Sequence, residues 1–400
     1  MTGPSCPATI STKLHQVAEL SRAHPGMVWT TLAHHIDVDF LRWSYRCIRK
    51  TGAAGVDGVT AADYASKLEE NLTSLHRRFK QGTYRAPPVR RVYIPKGKGQ
   101  QRPLGIPTLE DKILQHAVAT VLNAVYEQDF RSCSYGFRPG RSAHQALQAL
   151  RDGVMATWGG WVVDLDIATF FDTLDHATLR SLLDRRIRDG VIRRVIGKWL
   201  NAGVMENGNV HRETRGSPQG GVISPLLANI YLHYALDLWF EGEVRPRLRG
   251  RATLVRYADD AVMVFESEAE ARQVFAGLPG RLAEFGLRLH PEKTRLIPFR
   301  QPPPVGPPKG RGPGSFDFLG LTHFWGRSLR GFFVVQRRTS KKSFQRALRS
   351  IWEWCRLHRH DPVSTQCGAL GVKLHGHFRY FGIAGNWRQL SNFAQQVRRA

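Results

Sequence analysis

The sequence predicts an α+β fold in which short strands and helices alternate irregularly along the chain. The first observation is a pair of strand-like runs, 252–256 and 261–265, that flank the adjacent carboxylates Asp259 and Asp260. The second is a series of segments whose apolar residues recur every three or four positions, which is typical of helices buried on one face. The third is a hydrophobic share of 42% in 400 residues, enough for one large core or two to three modest ones.

The charge balance indicates a polyanionic partner. Lys and Arg number 58 against 33 Asp and Glu, which gives a net charge of +25 and a pI near 10.5. Each phosphate that Lys or Arg neutralises releases condensed counterions and strengthens binding at low salt. A uniformly Arg-rich composition is the alternative, but the excess falls in recognisable stretches, so nucleic acid is the favoured partner.

Cysteine usage and hydropathy exclude several protein classes. The five cysteines are odd in number and include no Cys-x-x-Cys pair, which argues against a zinc ribbon and against a disulfide framework. The chain has no run of about eighteen apolar residues and no apolar segment behind a basic start. We therefore expect a cytoplasmic protein without a membrane span or secretion signal.

The N-terminal elements are the least regular. Prolines and weak periodicity predict a loose lead-in over residues 1 to about 30, followed by a helix through residues 35–50. The glycine-rich segment 52–58 predicts a turn before a helix near residues 63–81. Two short strands around a Gly/Lys tip, between Val89 and Pro103, predict a hairpin that carries cations.

The middle of the chain alternates helices with short strands. Apolar residues at helical spacing predict a helix over 111–130, and Ser142 can cap the next helix. Asp175 begins a further helix that leads into an Arg-rich region, and Ser224-Pro225 is a start signal for another. The last elements of this region are a Ser267/Glu270 capping box, a strand at 287–290 and a Pro/Gly-rich basic stretch that excludes regular structure, 301–314.

The carboxylates between strands are the candidate chemical centre. Asp259 and Asp260 lie between apolar runs, where like carboxylates resist joint ionisation unless a cation such as Mg²⁺ is bound. A solvated acidic turn on a surface hairpin is the alternative. A further acid follows the apolar start of the segment 161–172. Asp164 and Asp166 share one strand face there, so the spacing alone does not show which of them is the cation ligand.

Two motifs carry a family resemblance. Asp-Ile-x-x-Phe-Phe-Asp at 166–172 and Tyr-Ala-Asp-Asp at 257–260, about ninety residues apart, resemble the palm of a reverse transcriptase, specifically the group II intron-encoded type with a maturase domain. Supporting motifs stand in the family's order and cover most of the chain from about residue 50. They occupy residues 55–59, 94–96, 102–107, 135–142, 216–227 and 316–320.

The resemblance implies a right-hand polymerase fold with fingers, a palm sheet with helices and an α-helical thumb and maturase domain. The implied domains are a partly helical N-terminal extension (1–50), fingers with part of the palm (51–160) and the palm with the catalytic acids (161–300). A Pro/Gly-rich basic linker or loop (301–314) follows, and then the end of the palm with the thumb and a maturase-like RNA-binding region (315–400). We expect a bacterial member without the C-terminal HNH endonuclease domain of some relatives.

By resemblance, Asp166, Asp259 and Asp260 are the catalytic residues and hold two Mg²⁺ ions, for which Mn²⁺ is a possible substitute. Ile167 contributes only its backbone carbonyl to the metal site. The family often has Lys-Gly where this chain has Ala168-Thr169, a change that affects nucleotide affinity rather than the metal ligands.

The resemblance also implies a nucleotide-binding set. Lys96 and Arg102 contact the phosphates of the incoming nucleotide. Phe171 excludes the ribose 2′-hydroxyl, with the alternative that both Phe170 and Phe171 are core residues. Gln219 lies in the glycine-rich turn that approaches the nucleotide.

Basic residues outside this site are candidates for nucleic-acid binding. Arg138 and Arg141 precede a helix and either grip template phosphates or are solvated cations. A predicted basic amphipathic helix from about Ser340 to His358 suits a thumb along a duplex better than a membrane surface. Its candidate residues are Lys342, Arg346, Arg349 and Arg356. His375 and His377 lack carboxylate or Cys partners nearby, so a structural or RNA-facing role is favoured over metal ligation.

The implied function is that of an RNA-directed DNA polymerase, a nucleotidyltransferase of a mobile group II intron that also assists splicing. The implied partners are the RNA template, the intron RNA, a DNA or RNA primer and deoxynucleoside triphosphates. The alternatives are an RNA-binding maturase without polymerase activity and a reverse transcriptase recruited to phage defence or diversification. The three acids, the aromatic gate and the Pro-Gln-Gly turn favour the polymerase.

Overall fold

The computed structural model describes residues 4–97, 100–206, 209–211, 220–303 and 314–399. The α-helices of these residues are α1 Ala8–Ala23, α2 Val38–Cys47, α3 Ala61–Ala65, α4 Leu68–Lys80, α5 Leu109–Tyr126, α6 Ala143–Ala156, α7 Phe170–Thr173, α8 His176–Asp184, α9 Gly190–Leu200, α10 Ser224–Leu232, α11 Glu268–Ala283, α12 Lys341–Leu357, α13 Val363–Phe381 and α14 Trp387–Val397. Two π-helical turns, His233–Asp237 and Phe240–Val244, extend α10. No helix among these described residues has the length and apolar character needed to cross a bilayer.

Strands of the described residues form three sheets. The strands are β1 Val89–Gly97, β2 Gln100–Ile106, β3 Trp161–Leu165, β4 Val204–Glu206, β5 Asn209–His211, β6 Ala252–Tyr257, β7 Asp260–Phe265, β8 Arg295–Pro298, β9 Phe316–Phe318, β10 Leu321–Arg327 and β11 Phe333–Thr339. The predicted α+β class is confirmed in this coarse sense, as helices combine with mainly antiparallel sheets.

The central sheet has the order β6-β7-β3-β8 and is antiparallel throughout. Its strands alternate between two apolar clusters, as the period-2 geometry of a strand requires. Val163 packs into the larger cluster, together with the helices on that face. Val162 packs into the smaller cluster, with α6 and the sheet β11-β10-β9 on the other face. Both faces of the central sheet are therefore buried.

The hairpin β1–β2 agrees with the predicted basic hairpin. Its strands pair antiparallel from Arg90↔Ile106 to Gly97↔Gln100, with an irregularity between Pro95 and Gly97. A short parallel pairing joins Val89 of β1 to Val204 of β4, which extends this sheet to the order β2-β1-β4-β5.

The prediction of a loose N-terminal lead-in is wrong for residues 8–23, which form α1. Ile10, Val17 and Ser21 are buried, and α1 packs on α5. Because this helix owes its stability to tertiary contacts rather than to a strong apolar stripe, the local sequence pattern does not reveal it.

Most predicted helix starts are confirmed by their caps. Ser142 forms a capping box with Gln145 at α6, Asp175 caps α8, and Ser340 caps α12. The Ser267 side chain accepts from the Glu270 backbone N–H, but the Glu270 carboxylate accepts from the backbone of Arg249 instead of completing the box.

Three other expectations need correction. The single helix expected near residues 63–81 is divided into α3 and α4. Ser224 is the first residue of α10 rather than its cap, which is Ile223. The strand expected at 287–290 is reduced to one bridge between Ile167 and Leu289, because the pairing partner of β3 is β8. Of the predicted linker 301–314, only residues 301–303 and 314 lie within the described part of the chain.

Candidate active site

Asp259 and Asp260 lie at the tip of the hairpin β6–β7. Tyr257 pairs with Asp260 across the hairpin, so Ala258 and Asp259 form its two-residue turn. Ala258 has φ +56°, a left-handed conformation that costs energy for a residue with a Cβ. The turn therefore presents two successive carboxylates at one end of the central sheet.

The strand β3 brings Asp166 to the same end of the sheet. Leu165, its last residue, pairs with Ala261, the second residue of β7. The chain then leaves the strand at Asp166, beside Asp260 at the start of β7. The structure thus brings the acids of two distant segments to the same end of the central sheet.

The close approach of these acids is visible in the electrostatics of Asp260. Its side chain reaches solvent at the strand end, but its carboxyl is surrounded by protein atoms and by other acids. Desolvation, followed by the negative charges of Asp259, Asp166 and Asp164, raises the pKa of Asp260 to about 6. Bringing a cation to this edge would relieve the same repulsion.

Asp164 and Asp166, which the sequence left undistinguished, have different partners. The Asp164 carboxylate accepts a hydrogen bond of 3.0 Å from the guanidinium of Arg295, its neighbour on β8. Burial raises the pKa of Asp164, while the Arg295 contact acts in the opposite direction. Asp164 is thus already paired within the sheet, and Asp166 lies nearer to the tip of the β6–β7 hairpin.

Lys293 is a site residue that sequence reasoning missed. Its ammonium nitrogen lies 3.2 and 3.4 Å from the two carboxylate oxygens of Asp166. The neighbouring backbone is fixed to the same acid: the Thr294 hydroxyl and the His290 N–H both donate to the Asp166 carbonyl. The available sequence signal was a Lys close behind the segment expected to return as a strand, which is weak without the pairing of β3 with β8.

The donor set suits a divalent cation, although the side chains are not arranged around one. Within the described ranges no group of three His, Cys, Asp or Glu side chains is placed to hold a metal ion. The acids nevertheless offer hard oxygen ligands, and Asp166 already binds a positive group, the Lys293 ammonium. Ile167 is buried, and the bonds of its bridge to Leu289 use the backbone groups of Asp166 and Ala168, so the Ile167 carbonyl takes no part in that bridge.

Phe170 and Phe171 differ in their exposure to solvent. Phe170 is 2% exposed and belongs to the core, whereas Phe171 is half-buried at the edge of the same cluster. Their rings meet edge to face with centroids 5.3 Å apart. Both residues lie in the short helix α7.

The structure describes only some of the predicted nucleotide-binding residues. All of Gln219 and the side chain of Lys96 lie outside the described residues. Arg102 is exposed on β2, opposite Ile94 of β1. Gly220, next to Gln219, has φ +119°, and a Cβ there would lie 2.4 Å from the Gly105 carbonyl oxygen, so only glycine fits against the hairpin.

Gln115 is a second residue that the sequence analysis did not single out. It is 4% exposed on α5, and its side-chain oxygen accepts from the backbone N–H groups of Val222 and Ile223 at 2.8 and 3.4 Å. The end of the glycine-rich turn is thereby fixed to the helix scaffold.

Arg138 does not have the accessible position that template binding requires. Its side chain is 4% exposed and lies 3.0 Å from the Glu127 carboxylate. It also donates to the carbonyls of Arg131 and Ser134. We correct its predicted contact with nucleic acid to a structural role, because its donors are used inside the protein. Arg141, in contrast, is exposed beside the Tyr135 ring.

The four predicted cations of α12 are all exposed, so they are available to a polyanion. These α12 cations are Lys342, Arg346, Arg349 and Arg356. The apolar side of the helix is less buried than predicted: Ile351 is 4% exposed, but Trp352 is 57% exposed.

The histidines of α13 have no metal-binding surroundings. The His377 ring stacks on Phe393 with centroids 3.8 Å apart, and burial lowers the pKa of His377. His375 is exposed. The favoured structural role therefore applies to His377.

The Arg-rich region that follows the start of α8 contains both buried and exposed arginines, as Arg138 and Arg141 do. Arg185, Arg188 and Arg193 are exposed on and after α8. Arg186 is buried and forms an ion pair of 2.8 Å with Asp129. Only the exposed members of this region can face a polyanion.

Comparison with known proteins gives consistent similarities. Residues 94–323 match the family described as reverse transcriptase (RNA-dependent DNA polymerase). Protein YkfC of Escherichia coli is 36% identical over an alignment of 272 positions that covers 60% of this chain and 71% of YkfC. The group II intron-encoded protein LtrA of Lactococcus lactis is 38% identical over 224 residues, which are 55% of this chain and 37% of LtrA. A putative COX1/OXI3 intron 1 protein of Saccharomyces cerevisiae is 27% identical over 65% of this chain and 37% of its own length. The chain thus spans well under half of the last two relatives.

Proposed function

The chain belongs to the reverse transcriptase (RNA-dependent DNA polymerase) family, and from this we propose that it copies RNA into DNA and binds the RNA of its own group II intron to assist splicing and mobility. The single observation that carries the proposal is the pairing of β3 with β7, which brings Asp166 beside Asp259 and Asp260. The proposed substrates are an RNA template, a DNA or RNA primer and deoxynucleoside triphosphates, in the cytoplasm.

In this proposal the central sheet is the palm, the hairpin β1–β2 belongs to the fingers, and α12–α14 form the thumb and maturase-like region. The palm acids support it, because a protein that only binds RNA has no use for a carboxylate cluster that raises the pKa of Asp260. The basic, exposed face of α12 supports the assignment of the thumb, since a duplex is bound through its phosphates.

Asp166, Asp259 and Asp260 would hold divalent ions of the Mg²⁺ type, with Mn²⁺ as a possible substitute. When bound, such ions stabilise charge on the attacking primer hydroxyl and on the leaving pyrophosphate. The protein's own contribution is to hold the acids in place: the β6–β7 turn aims Asp259, and the backbone bonds of Thr294 and His290 fix Asp166.

Other residues would select and orient the substrates. The half-buried ring of Phe171, five residues after Asp166, would exclude a ribose 2′-hydroxyl. The ammonium of Lys293 lies against Asp166, close enough to neutralise one carboxylate while no substrate is present. Lys96 and Arg102 would bind the triphosphate, Gln219 would face the nucleotide, and Arg141 and the α12 cations would bind template and primer phosphates.

Primer extension with a matched pair of variants tests the proposal. Purified protein should extend a primer on an RNA template with Mg²⁺ and deoxynucleotides. Asp259→Asn should abolish extension while RNA affinity changes by less than about twofold, because the amide keeps the size of the side chain but not its charge. Asp152→Asn, on the exposed face of α6, serves as the control and should extend normally.

An RNA-binding maturase without polymerase activity is the second candidate. The observation that favours it is the exposed set of cations on α12, which can bind RNA phosphates whether or not the acids hold a metal ion. Wild-type protein that binds intron RNA but gives no extension under any divalent metal would support this candidate and contradict the polymerase. Simultaneous loss of RNA binding in Asp259→Asn would instead indicate a misfolded variant.

A further inference from the structure

Directly beneath the catalytic hairpin lies a buried ion pair that the proposed mechanism does not use. Arg256, two residues before Ala258, is 0% exposed. Its guanidinium donates to both carboxylate oxygens of Asp237, over 2.7 and 2.6 Å. Asp237 is equally buried, so both charges are wholly removed from solvent.

The remaining donors of Arg256 connect the hairpin to its surroundings. One guanidinium nitrogen, Nη1, donates to the Asn229 side chain over 2.9 Å and to the Ala258 carbonyl over 3.0 Å. The other, Nη2, donates to the Ser134 hydroxyl over 2.8 Å. The Ala258 carbonyl belongs to the peptide that leads into Asp259, so the guanidinium holds the backbone of the turn itself.

The same turn is packed from the side by the segment that follows α5. The backbone of Arg256 exchanges hydrogen bonds of 2.8 Å with Cys133 and Tyr135. At Gly136 a Cβ would lie 2.3 Å from the Ala258 nitrogen, and Asn229 donates to the Gly136 carbonyl over 2.7 Å. Arg256 and Asn229 therefore clamp the left-handed residue Ala258 between two segments.

Asp237 is presented by an irregular helix. It ends the π-helical turn His233–Asp237, in which the chain after α10 is wound more widely than an α-helix. Such π segments occur mostly as short insertions and frequently at functional sites. The wider winding changes which residues of this helix face the hairpin, and it places Asp237 under Arg256.

A buried ion pair is a poor way to stabilise a core, because removing two charges from water cancels most of their attraction. Apolar residues of similar volume often do as well or better at such a position. The geometry of this pair accordingly points to a use other than stability. Each donor of the planar Arg fork is directed to a fixed acceptor, which is what a rigid backbone support requires.

We infer that Arg256 and Asp237 are positioning residues of the polymerase site, which hold the turn at Ala258 so that Asp259 and Asp260 meet Asp166. The inference rests on the proposed function. It assigns to the pair the orientation of the acids and neither binding of the nucleotide nor binding of the primer. Losing it should therefore lower kcat and leave KM and RNA affinity nearly unchanged.

The test replaces the pair with apolar residues of similar size, in the double variant Arg256→Met/Asp237→Leu. We expect kcat for primer extension to fall about 100-fold, the loss typical of a small misplacement of reacting groups. The KM for deoxynucleotide and the Kd for primer–template should stay within about threefold of wild type. In metal-free protein, backbone amides of residues 257–260 should exchange with deuterium faster than in wild type.

A second buried pair provides the control. Arg186→Met/Asp129→Leu removes an ion pair that lies outside the site and whose side chains are 4% and 18% exposed. It should leave both kcat and exchange at 257–260 unchanged, whatever its effect on Tm. An equal fall of kcat in both variants would show a general loss of folding and overturn the inference.

The conservative variant Arg256→Lys tests the positioning role of Arg256 if the double variant does not fold. Lysine keeps the charge but cannot reach Asp237, Asn229 and Ala258 together. A folded Arg256→Lys protein with kcat lowered about tenfold or more supports the inference, and one with wild-type kcat refutes it. Wild-type protein is assayed first: no extension by wild type refutes the proposed function, whereas extension by the folded variants at the kcat of wild type refutes only the positioning role.

Discussion

Asp260→Asn should stabilise the metal-free protein, although it removes a residue of the proposed active site. The pKa of Asp260 rises from 3.8 to about 6 on folding. Between about pH 4 and 6 the carboxyl ionises in the unfolded chain but stays protonated in the folded protein. The free energy of unfolding therefore falls as the pH rises through this range. The neutral amide of Asn avoids this cost.

The magnitude follows from the size of the shift and the exposure of the group. A shift from 3.8 to about 6 corresponds to an upper limit of about 3 kcal/mol at pH 7.5. Because the Asp260 side chain is exposed, solvent screening reduces the expected gain to about 1 kcal/mol. At pH 4.5 the gain should fall to about a third of its value at pH 7.5, since the carboxyl is then largely protonated in the folded state.

The measurement is the free energy of unfolding from chemical denaturation, with a chelator present, at pH 4.5 and 7.5. Glu243→Gln, an exposed acid outside the site, is the control and should change stability little at either pH. Added Mg²⁺ should stabilise wild type more than Asp260→Asn, because a cation that binds only the folded state adds stability by mass action. A variant that is less stable than wild type at pH 7.5, or a gain that is equal at both pH values, would refute the crowding of acids at this edge.

The structure supports three further predictions. Phe171→Ala should raise the ratio of ribonucleotide to deoxynucleotide kcat/KM by about tenfold or more, because the proposed role of the half-buried ring is to exclude the ribose 2′-hydroxyl; an unchanged ratio would place the sugar selection elsewhere. Lys293→Gln should lower the free energy of unfolding by less than about 1 kcal/mol, since its pair with Asp166 is partly exposed. Arg186→Met should lower it by about 2 kcal/mol or more, because it leaves the Asp129 carboxylate, 18% exposed, without its partner; similar losses in chemical denaturation would contradict this ranking. Replacing all four α12 cations with Gln should reduce the slope of log K against log salt for duplex RNA by about 3 to 4, and an unchanged slope would exclude α12 from the RNA-binding surface.

Local elements were well predicted where their signals are local. The hairpin β1–β2 and the helices α5, α6, α8 and α12 lie close to their predicted positions. Their caps and apolar periodicity act between residues a few positions apart, so the sequence pattern contains the cause of the structure. The helix α1 was missed because its cause is packing against α5, far along the chain.

Exposure of single charged residues was harder to predict. Arg138 and Arg141 belong to one motif, yet Arg138 is buried against Glu127 and Arg141 is exposed. The same division separates Arg186 from Arg185. A guanidinium can bind either a phosphate of a nucleic acid or a carboxylate inside the protein. Which of the two an Arg binds depends on whether the fold places a carboxylate next to it.

The sequence by itself determined the chemical groups of this protein: two acidic segments in strand-like surroundings, an excess of Lys and Arg that gives a net charge of +25, and the ordered motifs of the family. The tertiary structure alone decided which groups meet. Pairing of β3 with β7 and β8 places Asp166 beside Asp260 and Lys293 and gives Asp164 to Arg295, and packing around the β6–β7 hairpin pairs Arg256 with Asp237. The physical reason is that strand register and burial are set by contacts between segments far apart in the chain, and no local pattern records them.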